Sequence, residues 1–146
     1  MGIDIGPEST GAETDDLIRR LLGGMKRIAI VGLSDKPARA SHGIARFLQG
    51  WGFEVVGVNP VLDEVLGIKV YPSLADVPGP VDVVDVFRRS DAVPSIVDAA
   101  IARGDKALWL QEGVVHEEAA TRAREAGLDV IQDRCIYKDW LRLMSA

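Results

Sequence analysis

The chain has 146 residues, of which 47% are hydrophobic and 27% charged, with a formal charge of −5 at neutral pH. That length suits a single domain able to remove roughly 70% of its unfolded surface from water, and the acidic balance speaks against a general nucleic-acid binder, which needs a basic surface. One cysteine, Cys135, excludes an intrachain disulfide, and two histidines, His42 and His116, give poor support for a metal site.

Residues 1–12 are rich in Gly, Asp, Glu, Ser and Thr and read as a flexible acidic tail, ahead of one domain over 13–146. They lack the basic-then-apolar layout of a secretory signal, and no apolar run approaches the roughly eighteen residues of a membrane span. A cytoplasmic protein without membrane contact is the expectation. Leu17, Ile18, Leu21 and Leu22 predict a helix over 13–22, stopped by Gly23 and Gly24. A strand follows at 27–31. Ile44, Phe47, Leu48 and Trp51 then recur at helical spacing, with Ser41 as the candidate N-cap and Gly50 or Gly52 as the stop. A second strand is read at 53–58, a short one around 68–70, a connector at 73–76 and a further strand at 81–87. Val93, Ile96, Val97, Ala100 and Ile101 mark a helix capped by Ser90 or Asp91 and ended by Gly104. A strand at 107–110, a helix at 117–126, a strand at 128–131 and a C-terminal helix around Tyr137, Trp140, Leu141 and Met144 complete the pattern.

Strands and helices thus alternate along almost the whole chain. The expected fold class is α/β, a Rossmann-like doubly wound and mainly parallel β-sheet with helices on both faces. Ligands in such sheets sit beyond the carboxyl ends of the strands, at the point where the strand order reverses. The segments 32–41, 58–60, 87–89 and 111–113 all follow predicted strand ends.

The stretch RIAIVGLSDKPARAS at 27–41 has the layout of a strand, a phosphate-cradling turn and a helix N-terminus, where backbone N–H groups and the helix dipole favour an anion. Gly32 serves the turn. Ser34 and Ser41 offer hydroxyls either to a phosphate or to local turn and cap bonds. Arg39 presents a planar fork beside a helix start, and Lys36 adds a second cation. The dinucleotide fingerprint would place glycines at 32, 34 and 37, but Ser34 and Pro37 stand there. Asn59-Pro60 replaces the acidic residue that a plain NAD site wants after its second strand. Arg88 and Arg89 are adjacent in an extended segment, so at most one should face a common site. Phe87 suits either an adenine or the core, and Gly113 either a close backbone approach or a simple turn. His42, in the first helical turn, is expected neutral and without a catalytic role. His116 reads as a helix-start residue, and Cys135 as a half-buried inert thiol. No nucleophile–base set can be assembled.

Taken together, VGLSDKPARAS at 31–41, VGVNP at 56–60, YPSLADVPGPVDVVDVFRRS at 71–90, WLQEGV at 109–114 and AREAGLDVIQDRC at 123–135 resemble the small stand-alone CoA-binding protein family of bacteria. Its fold is similar to the CoA-binding domain of the succinyl-CoA synthetase α-subunit. The resemblance covers about 26–142 and implies coenzyme A, or an acyl-CoA, as the ligand. It implies that Gly32, Leu33 and Ser34 form the turn under the phosphates, with Lys36 and Arg39 neutralising charge and Ser41 presenting the helix N-terminus. Val58, Asn59 and Pro60 would line the nucleotide side. Phe87, Arg88 and Arg89 would border the adenosine or its 3′-phosphate, and Gln111, Glu112 and Gly113 would meet the pantetheine side. The synthetases carry a second domain with a phosphorylated histidine, for which this chain has no counterpart, so a non-catalytic carrier or sensor is expected. An NAD(P)-binding oxidoreductase, a CoA-delivering subunit of an acyl-CoA ligase, and a mixed disulfide between Cys135 and CoA stay open as alternatives. So does the oligomeric state, a homodimer included.

Overall fold

The computed structural model describes residues 11–145. Seven strands and five helices follow in the order α1 (Gly11–Gly24), β1 (Arg27–Val31), α2 (Ala40–Gly50), β2 (Glu54–Val58), β3 (Glu64–Val65), β4 (Ile68–Tyr71), β5 (Val83–Val86), α3 (Val93–Arg103), β6 (Ala107–Leu110), α4 (Glu117–Glu125), β7 (Asp129–Ile131) and α5 (Ile136–Leu143). The strands form one sheet in the order β3-β4-β2-β1-β5-β6-β7. All pairings are parallel except the β3–β4 hairpin. The chain is therefore an α/β protein with a Rossmann-like sheet. No helix among the described residues is long and apolar enough to cross a membrane.

Alternation along the strands assigns the faces, because successive side chains point to opposite sides of a sheet. Ala29, Val31, Val84 and Val86 pack under α3 and α4, while Ile28, Ile30, Val83 and Trp109 pack under α1, α2 and α5. Helix α4 reaches the sheet closely through Ala119, Ala120 and Ala123, all fully buried. Stacked rings bind α2 to α5, Phe47 on Tyr137 at 4.4 Å and Trp51 on Trp140 at 4.8 Å.

Local differences from the sequence reading have physical causes. Helix α1 begins at Gly11 and runs through both glycines expected to stop it; residues 1–10 of the expected tail lie outside the described residues. The alternation breaks after β2. There the chain returns to β4 through the two-residue strand β3 and a hairpin turn, with Leu66 and Gly67 both at positive φ. A single 3₁₀ turn, Leu74–Asp76, takes the place of a crossover helix before β5.

Strand β1 is central. The chain adds β2 on one side of it and β5 on the other, so the order reverses between β1 and β5. A crevice at their carboxyl ends is the place where such sheets hold ligands.

One core residue is at odds with its surroundings. Asp85 is fully buried on β5, in register with Ile30 on one side and Trp109 on the other. Gln111 Nε2 donates to its Oδ1 at 2.6 Å, while Oδ2 has no partner. Burial pushes the carboxyl up to about 8 from 3.8, against the Gln111 hydrogen bond that lowers it. Between those values the folded protein keeps a proton that the unfolded chain has released, so stability falls as pH rises through that window. Asp85→Asn, which mimics the protonated carboxyl, is expected to lose less stability than the parent between about pH 5 and about pH 8 in urea melts. An equal loss in both proteins would contradict a buried neutral Asp85.

Candidate anion-binding site

Strand β1 hands the chain to Gly32 at the crevice. The Phe87 amide donates to the Val31 carbonyl at 2.8 Å, so the end of β5 stays alongside up to the turn. A Cβ on Gly32 would lie 2.5 Å from the Phe87 carbonyl oxygen and 3.1 Å from Arg88 Cδ, and its φ is +94°. Only glycine meets both conditions. The chain then swings toward β2, where the Gly32 and Leu33 amides both donate to the Val58 carbonyl at 2.9 and 3.2 Å. Leu33 is fully buried in the space left by Gly57, whose added Cβ would meet Leu33 Cδ2 at 2.6 Å.

Side chains hold the rest of the loop. The Ser34 amide donates to Ser41 Oγ at 3.0 Å, and the Lys36 amide to Ser34 Oγ at 3.1 Å. His42 Nδ1 stands 3.0 Å from the Ser34 carbonyl; a carbonyl only accepts, so that nitrogen carries the proton. Asn59 Nδ2 donates to the Leu33 carbonyl at 3.0 Å, and its Oδ1 accepts from the Val61 amide at 2.9 Å.

These bonds leave the start of α2 open. Arg39, not Ser41, occupies the N-cap position, and no side chain caps the helix. Ser41 is instead buried inside the first turn, where its hydroxyl is already used by the Ser34 amide. The first turn contains no acidic residue, and the Ala40 and Ser41 amides find no acceptor among the described residues. Lys36 and Arg39 are exposed and enter none of the described ion pairs. With Gly32, Asn59 and Phe87 they line a cleft of about 430 Å³. Free N–H groups at a positive dipole end, flanked by two unpaired cations, suit a phosphate.

The other residues singled out from the sequence divide among different places. Val58, Pro60 and Arg88 line a second cleft, of about 360 Å³, on the α3 side of the sheet. Arg89 points elsewhere, with its side chain 87% exposed and 3.6 Å from Asp91. Gln111 is buried against Asp85. Glu112 pairs with Lys138 at 3.1 Å, and the Gly113 amide donates to Asp133 at 2.7 Å. Glu112 borders a third cleft, which also holds the half-buried Cys135. The structure therefore gathers Gly32, Ser34, Lys36, Arg39, Ser41, Asn59 and Phe87, keeps Leu33 beneath them, and leaves 111–113 outside. His116 caps α4, its Nδ1 accepting from the Ala119 amide. The bracing roles of Asn59, His42 and Gly57 were not read from the sequence, although a glycine amid the valines at 55–58 was a signal of close packing.

The family model of the CoA binding domain matches residues 26–140. The chain belongs to this CoA-binding domain family. The uncharacterized protein YneT of Bacillus subtilis is 44% identical over 119 residues, covering 82% of this chain and 88% of YneT. A hypothetical protein from Pyrococcus horikoshii shares the fold with a TM-score of 0.88 and 36% identity, over 99% of this chain and all of that one (100%). An ADP-forming acetate–CoA ligase of Methanocaldococcus jannaschii is 28% identical over 81 residues, 56% of this chain but only 12% of the ligase. The domain is thus homologous to a small part of much larger ligases.

Two glycines at positive φ allow a direct test of the turn. Gly32→Ala is expected to cost about 2–4 kcal/mol in urea unfolding, because strain and a backbone clash add. Gly113→Ala, where nothing lies within 4 Å of the new Cβ, should cost only about 1 kcal/mol. Equal costs would show that the Gly32–Phe87 contact relaxes freely.

Proposed function

We propose that this protein binds coenzyme A or an acyl-CoA as a non-catalytic carrier or sensor in the cytoplasm. The observation that carries this is the uncapped start of α2, with its free Ala40 and Ser41 amides between Lys36 and Arg39, in a chain of the CoA-binding domain family. The diphosphate of the ligand would lie against that helix end, in the first cleft. The adenosine would cross the chain at Asn59-Pro60 into the second cleft, whose walls include Val31, Val58 and Ile96. The pantetheine arm would leave past Phe87, on the β6 side, toward the 111–113 loop.

Two features favour binding over chemistry. The Ser34 and Ser41 hydroxyl oxygens accept from backbone amides, which leaves their O–H groups free to donate to a phosphate, and His42 Nδ1 is committed to the Ser34 carbonyl. A third feature favours CoA over a plain NAD ligand. The Asn59 side chain braces the Leu33 carbonyl and the Val61 amide, and no carboxylate stands in its place at that strand end to take both ribose hydroxyls.

Calorimetric titration with CoA, acetyl-CoA and NADPH tests the proposal. CoA and acetyl-CoA should bind, and NADPH should bind more weakly or not at all. Arg39→Ala should weaken CoA about tenfold, by loss of one charge-assisted contact, without lowering the melting temperature. Absence of CoA binding, or tighter saturable binding of NADPH, would reject it.

A further inference from the structure

Arg88 stands where the first two clefts adjoin. Its neighbour Phe87 lines the first cleft, and Arg88 itself lines the second. On the opposite wall the same division falls between Asn59 and Pro60. The two clefts therefore meet at consecutive residues on both walls. The stem of Arg88 lies over Gly32, its Cδ only 3.1 Å from where a Cβ there would stand. The missing side chain of Gly32 thus makes room for the arginine as well as for the Phe87 carbonyl.

The guanidinium has no described ion pair or hydrogen bond, although the chain pairs many of its other arginines. Arg89 does not share this position, since it is paired with Asp91 and lines none of the three clefts. An unpaired planar fork at the junction of two clefts is matched to a phosphate monoester carried midway along a ligand. A ligand with its diphosphate in the first cleft and its base in the second must lay its ribose across this junction.

Resting on the CoA proposal, we infer that Arg88 is the specificity-determining residue that reads a phosphate on the ligand's ribose, and that Arg89 is not. The class of ligand selected is a nucleotide carrying a ribose monophosphate in addition to its diphosphate. Within the CoA series this distinguishes CoA from dephospho-CoA.

The test is a cycle of two ligands and three proteins by calorimetry: CoA and dephospho-CoA against the parent, Arg88→Ala and Arg89→Ala. The parent should bind CoA about tenfold or more tightly than dephospho-CoA, the usual scale of a charge-assisted phosphate contact. Arg88→Ala should bring CoA down to the level of dephospho-CoA and leave dephospho-CoA within about twofold of the parent. Arg89→Ala should keep the parent's ratio. Equal binding of the two ligands by the parent, or an unchanged ratio in Arg88→Ala, would overturn the inference while leaving CoA binding intact. A ratio abolished by Arg89→Ala would move the role to that residue and overturn it equally. If the parent binds neither ligand, the CoA proposal itself fails, a result distinct from each of these. Circular dichroism melts confirm that both variants are folded, as expected for exposed side chains.

Discussion

Strand β1 ends at a point with no room for a side chain. At Gly32 the backbone of the β5 loop comes so close that a Cβ would stand 2.5 Å from the Phe87 carbonyl oxygen. The positive φ of Gly32 turns the chain away from that contact and across to β2, where two amides share the Val58 carbonyl. Leu33 then drops into the space that Gly57 leaves open. Once Leu33 is seated, the loop has little choice of path. Asn59 and His42 take the Leu33 and Ser34 carbonyls, Ser41 takes the Ser34 amide, and α2 starts with its dipole directed into the crevice. The geometry at the start of α2 is thus a consequence of core packing beneath it, which holds the free amides in fixed positions.

Electrostatics complete the site locally. With a net charge of −5 the chain repels anions at long range. Its arginines away from the crevice are mostly committed: Arg27 to Glu54, Arg103 to Asp105, Arg122 to Asp98, Arg134 to Asp139 and Arg142 to Asp15. Lys36, Arg39 and Arg88 are left without such partners around the junction of two clefts. An anion with several separated phosphates would meet cations at more than one of its groups there. This distribution makes a phosphate-rich ligand a better match than a singly charged one.

How much of this was legible in the sequence depended on the range of the interaction. β1, α2 and the polar turn between them are local patterns of hydrophobic period and glycine placement, and their boundaries fell within a residue or two. Ser41 was recognised as a polar group at a helix start, but its partner is an amide seven residues back in the chain, so it serves the loop and not the cap. Leu33 reads as a turn residue until β2 is placed beside it; only then does Gly57 explain its burial. Gln111 follows a strand end, and its hydrogen-bond partner is Asp85 on the neighbouring strand, 26 positions earlier. A carboxylate among the valines of β5 was itself a hint of a special environment. What the sequence could not supply was which residues become neighbours across the sheet.

On this reading, packing under the β1 turn leaves the Asp35–Ser41 segment ready to receive phosphate. It is tested most directly by following backbone amide resonances while CoA is added to isotopically labelled protein. Saturable shifts should be led by Gly32, Asp35, Ala38, Ala40 and Ser41, ahead of any at Asp133 to Lys138 around the third cleft. Shifts led by the third cleft, with 32–41 unmoved, would contradict it.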